Sequence, residues 1–409
     1  MRYIFFVTTL LVVVLFQGCS NRDESNDTNT TQTIDPSAQT LELEIETNEL
    51  PENNETTVTV RTADGKEVTQ ESSIVWHFSD ANVTELNGSK LIAKAEGMTT
   101  EVSPITATIY LPGGVESIVT SKDGRNAYIA NGYAGLQVVN IADPSAPFIM
   151  GSIDTPDYSY RVVLSSDGEK AYVSDYSSGL QIIDVTDPDA PFIISAFDTP
   201  DYAYDVALSA DGTKAYIADM RSGLQIINVL DSTQPFLAGS IDMPEYIHTV
   251  LVSADDTKVY LADYAYGLQI VDVTDPAAPS IVSVTIMPDF ANDIALSPDG
   301  TKIYASNYNG LKIIDVTDPT AVYILGSLDM STHVYGGIAL APDGTKAYTA
   351  NGASGIQIID ISNPEAPKIF EGIDIPAGAY GITLSVDGAN AYVADGNSSL
   401  VIIDLVGLK

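Results

Sequence analysis

The chain has 409 residues, of which 55 are acidic and 18 basic, for a formal net charge of −37. A surface potential of that sign repels phosphate backbones and anionic headgroups, which excludes nucleic acid as a partner. The length exceeds one ordinary domain and points to two domains or a repeat architecture, and a lone cysteine, Cys19, rules out a disulfide within the chain.

Chain order begins with MRYIFFVTTLLVVVLFQGCS, in which Arg2 precedes an apolar run from Tyr3 to Phe16 and small residues follow. The run is too short for a permanent span and reads as a signal peptide over residues 1–18. LFQGC resembles the bacterial lipoprotein lipobox, which implies cleavage before Cys19 and acylation of its thiol and amine. The resemblance places the protein in the bacterial cell envelope, held by lipid at the outer membrane or cell surface; a plain secretory signal is the alternative. Residues 19–40, rich in Asn, Asp, Thr and Ser, bury too little to offset chain entropy and are expected to be a disordered tether.

Over residues 41–104 the runs LELEIE, TTVTVRT, SSIVWHF and KLIAKA alternate apolar and polar between PENN, ADGK and NGS turns, the pattern of a small β-sandwich. The stretch TADGKEVTQESSIVWHFSDANVTELNGSKLIAKAEG resembles the bacterial immunoglobulin-like group 2 domain, which implies a spacer or adhesion module. Trp76 and His77 then read as a core and a surface residue.

From Gly113 a period takes over. The Gly-Leu step or its variant begins at Gly135, Gly179, Gly223, Gly267, Gly310, Gly355 and Ser399, a spacing of 43 to 45 residues. One copy, RVVLSSDGEKAYVSDYSSGLQIIDVTDPDAPFIISAFDTP, holds four apolar runs separated by turn signals, as a propeller blade requires. LQII and FIIS are apolar on both faces, which suits a sheet packed between two neighbours. The fold class is therefore all-β, a seven-bladed β-propeller over residues 105–409 preceded by the Ig-like sandwich. Because the seventh copy stops after its third strand, Ile105 to Tyr110 is expected to supply the missing outer strand; the same run also fits as the last strand of the sandwich.

Tyrosines at 128, 172, 216, 260, 304, 348 and 392 recur in every copy and read as scaffold. So do Asn131, Asp175, Asp219, Asp263, Asn307, Asn351 and Asp395, as turn-capping acceptors. The LQIID core with DVTDPxAP resembles the LVIVD-repeat family of surface proteins, and SxDGxKAYVAD resembles the wider YVTN-type propellers. The resemblance implies a secreted or membrane-attached propeller with no assigned reaction.

Positions that vary between blades carry more information. At the start of the inner strands they include Glu116, Tyr160, Tyr204, His248, Asn292 and Tyr380, and one residue later Arg161, Asp205 and Asp293, with Tyr335 nearby. The adjoining loops, PDYSYR, PDYAYD, PEYIHT and STHVYGG, are rich in tyrosine, which pairs a large apolar face with a hydroxyl and suits stacking on sugar or gripping peptide. These rings also fit a simpler role in packing the loops together. Arg161 and Asp205 are expected to be neighbours on adjacent inner strands.

No HExxH, GxSxG, Walker or CxxC pattern occurs, so no enzyme and no cofactor are expected. The sequence reads best as a monomeric, lipid-anchored module that binds a protein or glycan of the cell envelope on its Tyr-rich face. Two alternatives stay open: a hydrolase with a divalent cation held by Glu116, Asp205, Asn292 and Asp293, and a structural envelope component without a discrete ligand.

Overall fold

A computed structural model describes Pro104–Lys409 except residues 244, 264–265, 288–290, 331–333, 335, 376, 397, 407 and 409, and in Met1–Ser103 only six short strands. In that first unit Thr59–Thr62, Leu41–Glu46, Lys90–Ala93 and Val83–Asn87 form one sheet in that order, and Val12–Leu15 pairs with Ser73–Trp76. Most of the expected sandwich, the tether, Cys19 and His77 lie outside the described residues.

Pro104–Lys409 consists of seven four-stranded antiparallel sheets. In the second blade Arg161–Leu164, Lys170–Ser174, Leu180–Asp184 and Phe192–Phe197 run from the axis outward, each paired with the next. The first blade begins at Ser117–Thr120, the third at Asp205–Leu208, the fourth at Ile247–Val252, the fifth at Ala291–Leu296, the sixth at Ile338–Leu340 and the seventh at Ala379–Leu384. The outer strand of the seventh blade is Ile105–Tyr110, which pairs antiparallel with Ser399–Asp404 so that Leu400 faces Ile109 and Ile403 faces Ile105. No helix occurs among the described residues.

The two-faced apolar runs are explained by packing. In the second and third strands of a blade almost every residue is buried, whatever its face, because neighbouring blades cover both sides. Outer strands are mostly exposed or half-buried and carry a bulge opposite the third strand, which increases twist where the blade meets solvent. Each core cluster spans two blades: Tyr172 and Ile182 pack with Val206, Ile217 and Ile227 of the next blade. The repeated glycine is a geometric necessity. At Gly179 the backbone has φ +66°, and a Cβ would lie 2.2 Å from the Phe197 carbonyl oxygen.

The buried acid or amide that ends the second strand holds loops in place in most blades, whereas neither side-chain polar atom of Asn307 has a hydrogen-bond partner among the described residues. Asp175 accepts hydrogen bonds from the Thr155 hydroxyl at 2.7 Å and the Asp157 amide at 3.1 Å, both in the loop that enters its blade. Asn131 does the same for Gly113 and Gly114 through its own amide. Asp263 and Asp395 instead cap the turn that follows them. The Tyr-rich entry loops therefore rest on fixed anchors.

Candidate functional site

The entry loops and the turns between second and third strands share one face of the ring, and isolated bridges register them across blades: Gly132 with Ser159, Tyr176 with Ala203, Met220 with Ile247 and Gly352 with Ala379. Those bridges set the aromatic side chains of successive blades against one another. Tyr160 and Tyr204 stack with ring centroids 4.3 Å apart, and Tyr204 stacks in turn on His248 at 5.2 Å. Tyr158 leans on Tyr160 at 4.8 Å and meets Tyr133 edge to face at 4.8 Å. A second pair, Tyr176 on Tyr202, stacks at 4.0 Å and 8° and touches the arc through Tyr160 and Tyr204. Beside it the Arg221 guanidinium lies over the Tyr246 ring, 4.9 Å from its centroid.

This arrangement changes what the rings offer. Tyr160 and Tyr204 spend faces on each other and on their neighbours, and the most exposed rings of this face are those of Tyr133 and Tyr380, 76% and 50% exposed. Burial pushes the hydroxyl pKa values of Tyr158 and Tyr160 up, and hydrogen bonding to Glu116 and Tyr204 respectively adds to it, so both stay protonated donors. Burial lowers the pKa of His248, against a smaller opposing pull from Asp263. Tyr176 adopts φ +44°, where the first and sixth blades have Gly132 and Gly352. A tyrosine in that left-handed region costs on the order of 1 kcal/mol, offset here by its stack on Tyr202.

Inside the arc, the next residues of three inner strands form a charged bridge. Arg161 Nε donates to Asp205 Oδ1 at 2.8 Å, and its Nη2 donates to Asp293 Oδ1 at 2.9 Å. The first contact joins adjacent blades; the second joins the second blade to the fifth. Each carboxylate also accepts a backbone amide of the following blade, Val250 to Asp205 Oδ2 at 2.9 Å and Ile338 to Asp293 Oδ2 at 3.0 Å. Gly337 makes room for this, since a Cβ there would lie 3.2 Å from Asp293 Oδ2. Burial acts against the charge on Arg161, but Asp205 and Asp293 more than offset it and the pKa is raised. Burial raises the pKa of Asp205, which Arg161 and the Val250 amide counter.

Of the expected site residues, Tyr160, Tyr204 and His248 come together in the arc, and Arg161, Asp205 and Asp293 in the bridge. Glu116 sits at the end of the arc, where it accepts the Tyr158 hydroxyl. Asn292 donates to the Val334 carbonyl and takes a local structural bond. Tyr380 stands outside the ring contacts, and Tyr335 lies outside the described residues. Tyr133, Tyr158, Tyr176 and Tyr202 belong to the arc although the variable positions did not single them out; for Tyr158 and Tyr202 the PDYxY motif in two successive blades was the available signal. Glu116, Asp205, Asn292 and Asp293 do not converge as a cation site. A guanidinium occupies the carboxylates, and no group of three His, Cys, Asp or Glu able to hold a metal ion occurs among the described residues.

Among solved structures, Kuenenia stuttgartiensis hydrazine synthase matches with a TM-score of 0.61 at 17% identity, over 76% of this chain and 100% of that chain. At that identity the likeness carries the fold alone. No curated protein matches the sequence. The LVIVD repeat matches residues 113–155, 162–199, 201–243, 252–285, 291–330, 343–374 and 380–405, one match to each blade. With seven repeats along most of its length, closing into a seven-bladed ring, the chain belongs to the LVIVD-repeat family.

Proposed function

We propose that this protein is a lipid-anchored interaction module of the bacterial cell envelope, whose propeller binds a protein or glycan on its aromatic face. A propeller of LVIVD repeats suggests a protein-interaction or structural role. The observation that carries the finer reading is the gathering of blade-specific residues at one end of the ring: Tyr160, Tyr204 and His248 around Arg161, Asp205 and Asp293. A scaffold built only for blade packing repeats its residues, as the buried tyrosines do, whereas these positions differ from blade to blade. The lipid anchor rests on Cys19 and the apolar run before it.

The stacking of Tyr160 on Tyr204 favours a second reading, a purely architectural role in which the rings tie the loops together. One experiment addresses both. The Cys19→Ala chain is expected to leave the membrane fraction, and in soluble form to bind isolated envelope fractions. Tyr160→Ala and Tyr204→Ala in that background are expected to weaken binding with little change in melting temperature. Unchanged binding with a large drop in melting temperature supports the architectural role instead.

A further inference from the structure

The chemistry of the mouth narrows what enters it and, resting on the reading of the aromatic face as the binding surface, we infer that it takes the neutral, hydroxyl-rich end of a saccharide. Arg161 uses Nε on Asp205 and Nη2 on Asp293, while Nη1 has no protein partner among the described residues and the side chain keeps 31% of its surface exposed. The two carboxylates fix the guanidinium plane, so the donors left at Nη1 are held in one direction before any ligand arrives.

Charge and hydrogen-bond capacity then discriminate among ligands. An anionic group approaching Nη1 meets two carboxylates, Asp205 and Asp293, around a single guanidinium and is repelled. An ammonium, which only donates, cannot accept from Nη1 and meets the like charge of the guanidinium there. A sugar hydroxyl both accepts and donates, so it accepts from Nη1 and exchanges hydrogen bonds with the phenols of the arc. Where the second to fifth blades bring large or polar side chains to the inner rim, the sixth and seventh have Gly336, Gly337 and Gly381, against which neighbouring groups pack closely: a Cβ at Gly336 would lie 2.3 Å from the Tyr380 carbonyl oxygen and one at Gly337 3.2 Å from Asp293 Oδ2. The half-exposed ring of Tyr380 borders this sector and offers an apolar face to the C–H side of a pyranose.

The test is capture of the soluble Cys19→Ala chain on an array of immobilised oligosaccharides with neutral, uronic-acid and amino-sugar members. Neutral members are expected to be bound, with little loss between low and high salt, as an uncharged ligand is not screened. Arg161→Lys and Tyr380→Ala are each expected to weaken that binding about tenfold. Tyr380 lies outside the charged bridge, so its variant reports on the site even where a change at Arg161 disturbs folding. Capture confined to uronic-acid or amino-sugar members, neutral binding indifferent to both variants, or no neutral binding at all overturns the inference. Envelope binding that still depends on Tyr160 and Tyr204 while the neutral members stay empty rejects the saccharide and leaves the interaction module standing.

Discussion

Arg161 and Asp293 are 132 residues apart in sequence and 2.9 Å apart in space, which makes their contact a strut between inner strands three blades apart. Cutting it from one side leaves a recessed guanidinium with half its compensation and the Ile338 amide without its acceptor. Asp293→Ala is therefore expected to cost about 2 kcal/mol, below the range for a fully buried pair because Arg161 keeps solvent contact. Combining it with Arg161→Met is expected to cost less than the sum of the single changes, since each removes a charge the other needs. Urea titration of the four proteins measures both.

Tyr216 is fully buried, and its hydroxyl has no hydrogen-bond partner among the described residues. Removing only that oxygen relieves an uncompensated desolvation, so Tyr216→Phe is expected to leave stability unchanged or raise it by up to about 1 kcal/mol. Tyr216→Ala opens a cavity between the third and fourth blades and is expected to cost about 3 kcal/mol or more. Denaturant midpoints of the two variants separate the ring from its oxygen.

On the opposite face each blade closes a tight turn with an aspartate. The Ser209 hydroxyl, the Thr213 amide and the Thr213 hydroxyl all donate to Asp211 and lower its pKa to about 2. The folded value lies below the unfolded one of about 3.9, so the carboxylate contributes stability that is complete above that pH and lost as pH falls through about 2. The difference in melting temperature between wild type and Asp211→Ala is therefore expected to be constant above about pH 4 and to narrow steadily below it. A gap that does not change down to pH 2 counts against this coupling.

Ring closure gives a further expectation. A chain that starts at Gly113 lacks Ile105–Tyr110, leaving Ser399–Asp404 with an open edge, whereas one that starts at Ser103 keeps the pair. The shorter chain is expected to melt earlier and to aggregate, which thermal unfolding with size-exclusion chromatography records. Equal behaviour of the two removes the closing strand from the stability of the ring.

Much of the fold was readable because repetition multiplies weak signals. One LQIID run is ambiguous, but seven at a constant spacing, each followed by a turn and each apolar on both faces, admit few folds other than a ring of sheets. The Arg161–Asp205 contact was readable for the same reason, since the repeat places equivalent residues of adjacent blades side by side. The Arg161–Asp293 contact was not, because a period says which strands are neighbours and nothing about how far a long side chain reaches across the axis. Nor was the mutual stacking of Tyr160 and Tyr204. Composition shows that aromatic rings are present at the rim, while only backbone bridges such as Tyr176 to Ala203 determine which way their faces turn.

The pairing of Ile105–Tyr110 with Ser399–Asp404 also sets an order of events. The strand that seals the ring is synthesised before every other strand of the propeller, and its partner emerges after nearly all of them. A growing chain can form blades one after another from local hairpins, yet it has no means of locking them until Ser399–Asp404 appears, because the last contact spans the largest loop in the domain. A chain that has not reached Ser399–Asp404 is thus an open arc in which Ile105–Tyr110 has no strand to pair with. Arrival of that one strand is what lets the ring become rigid.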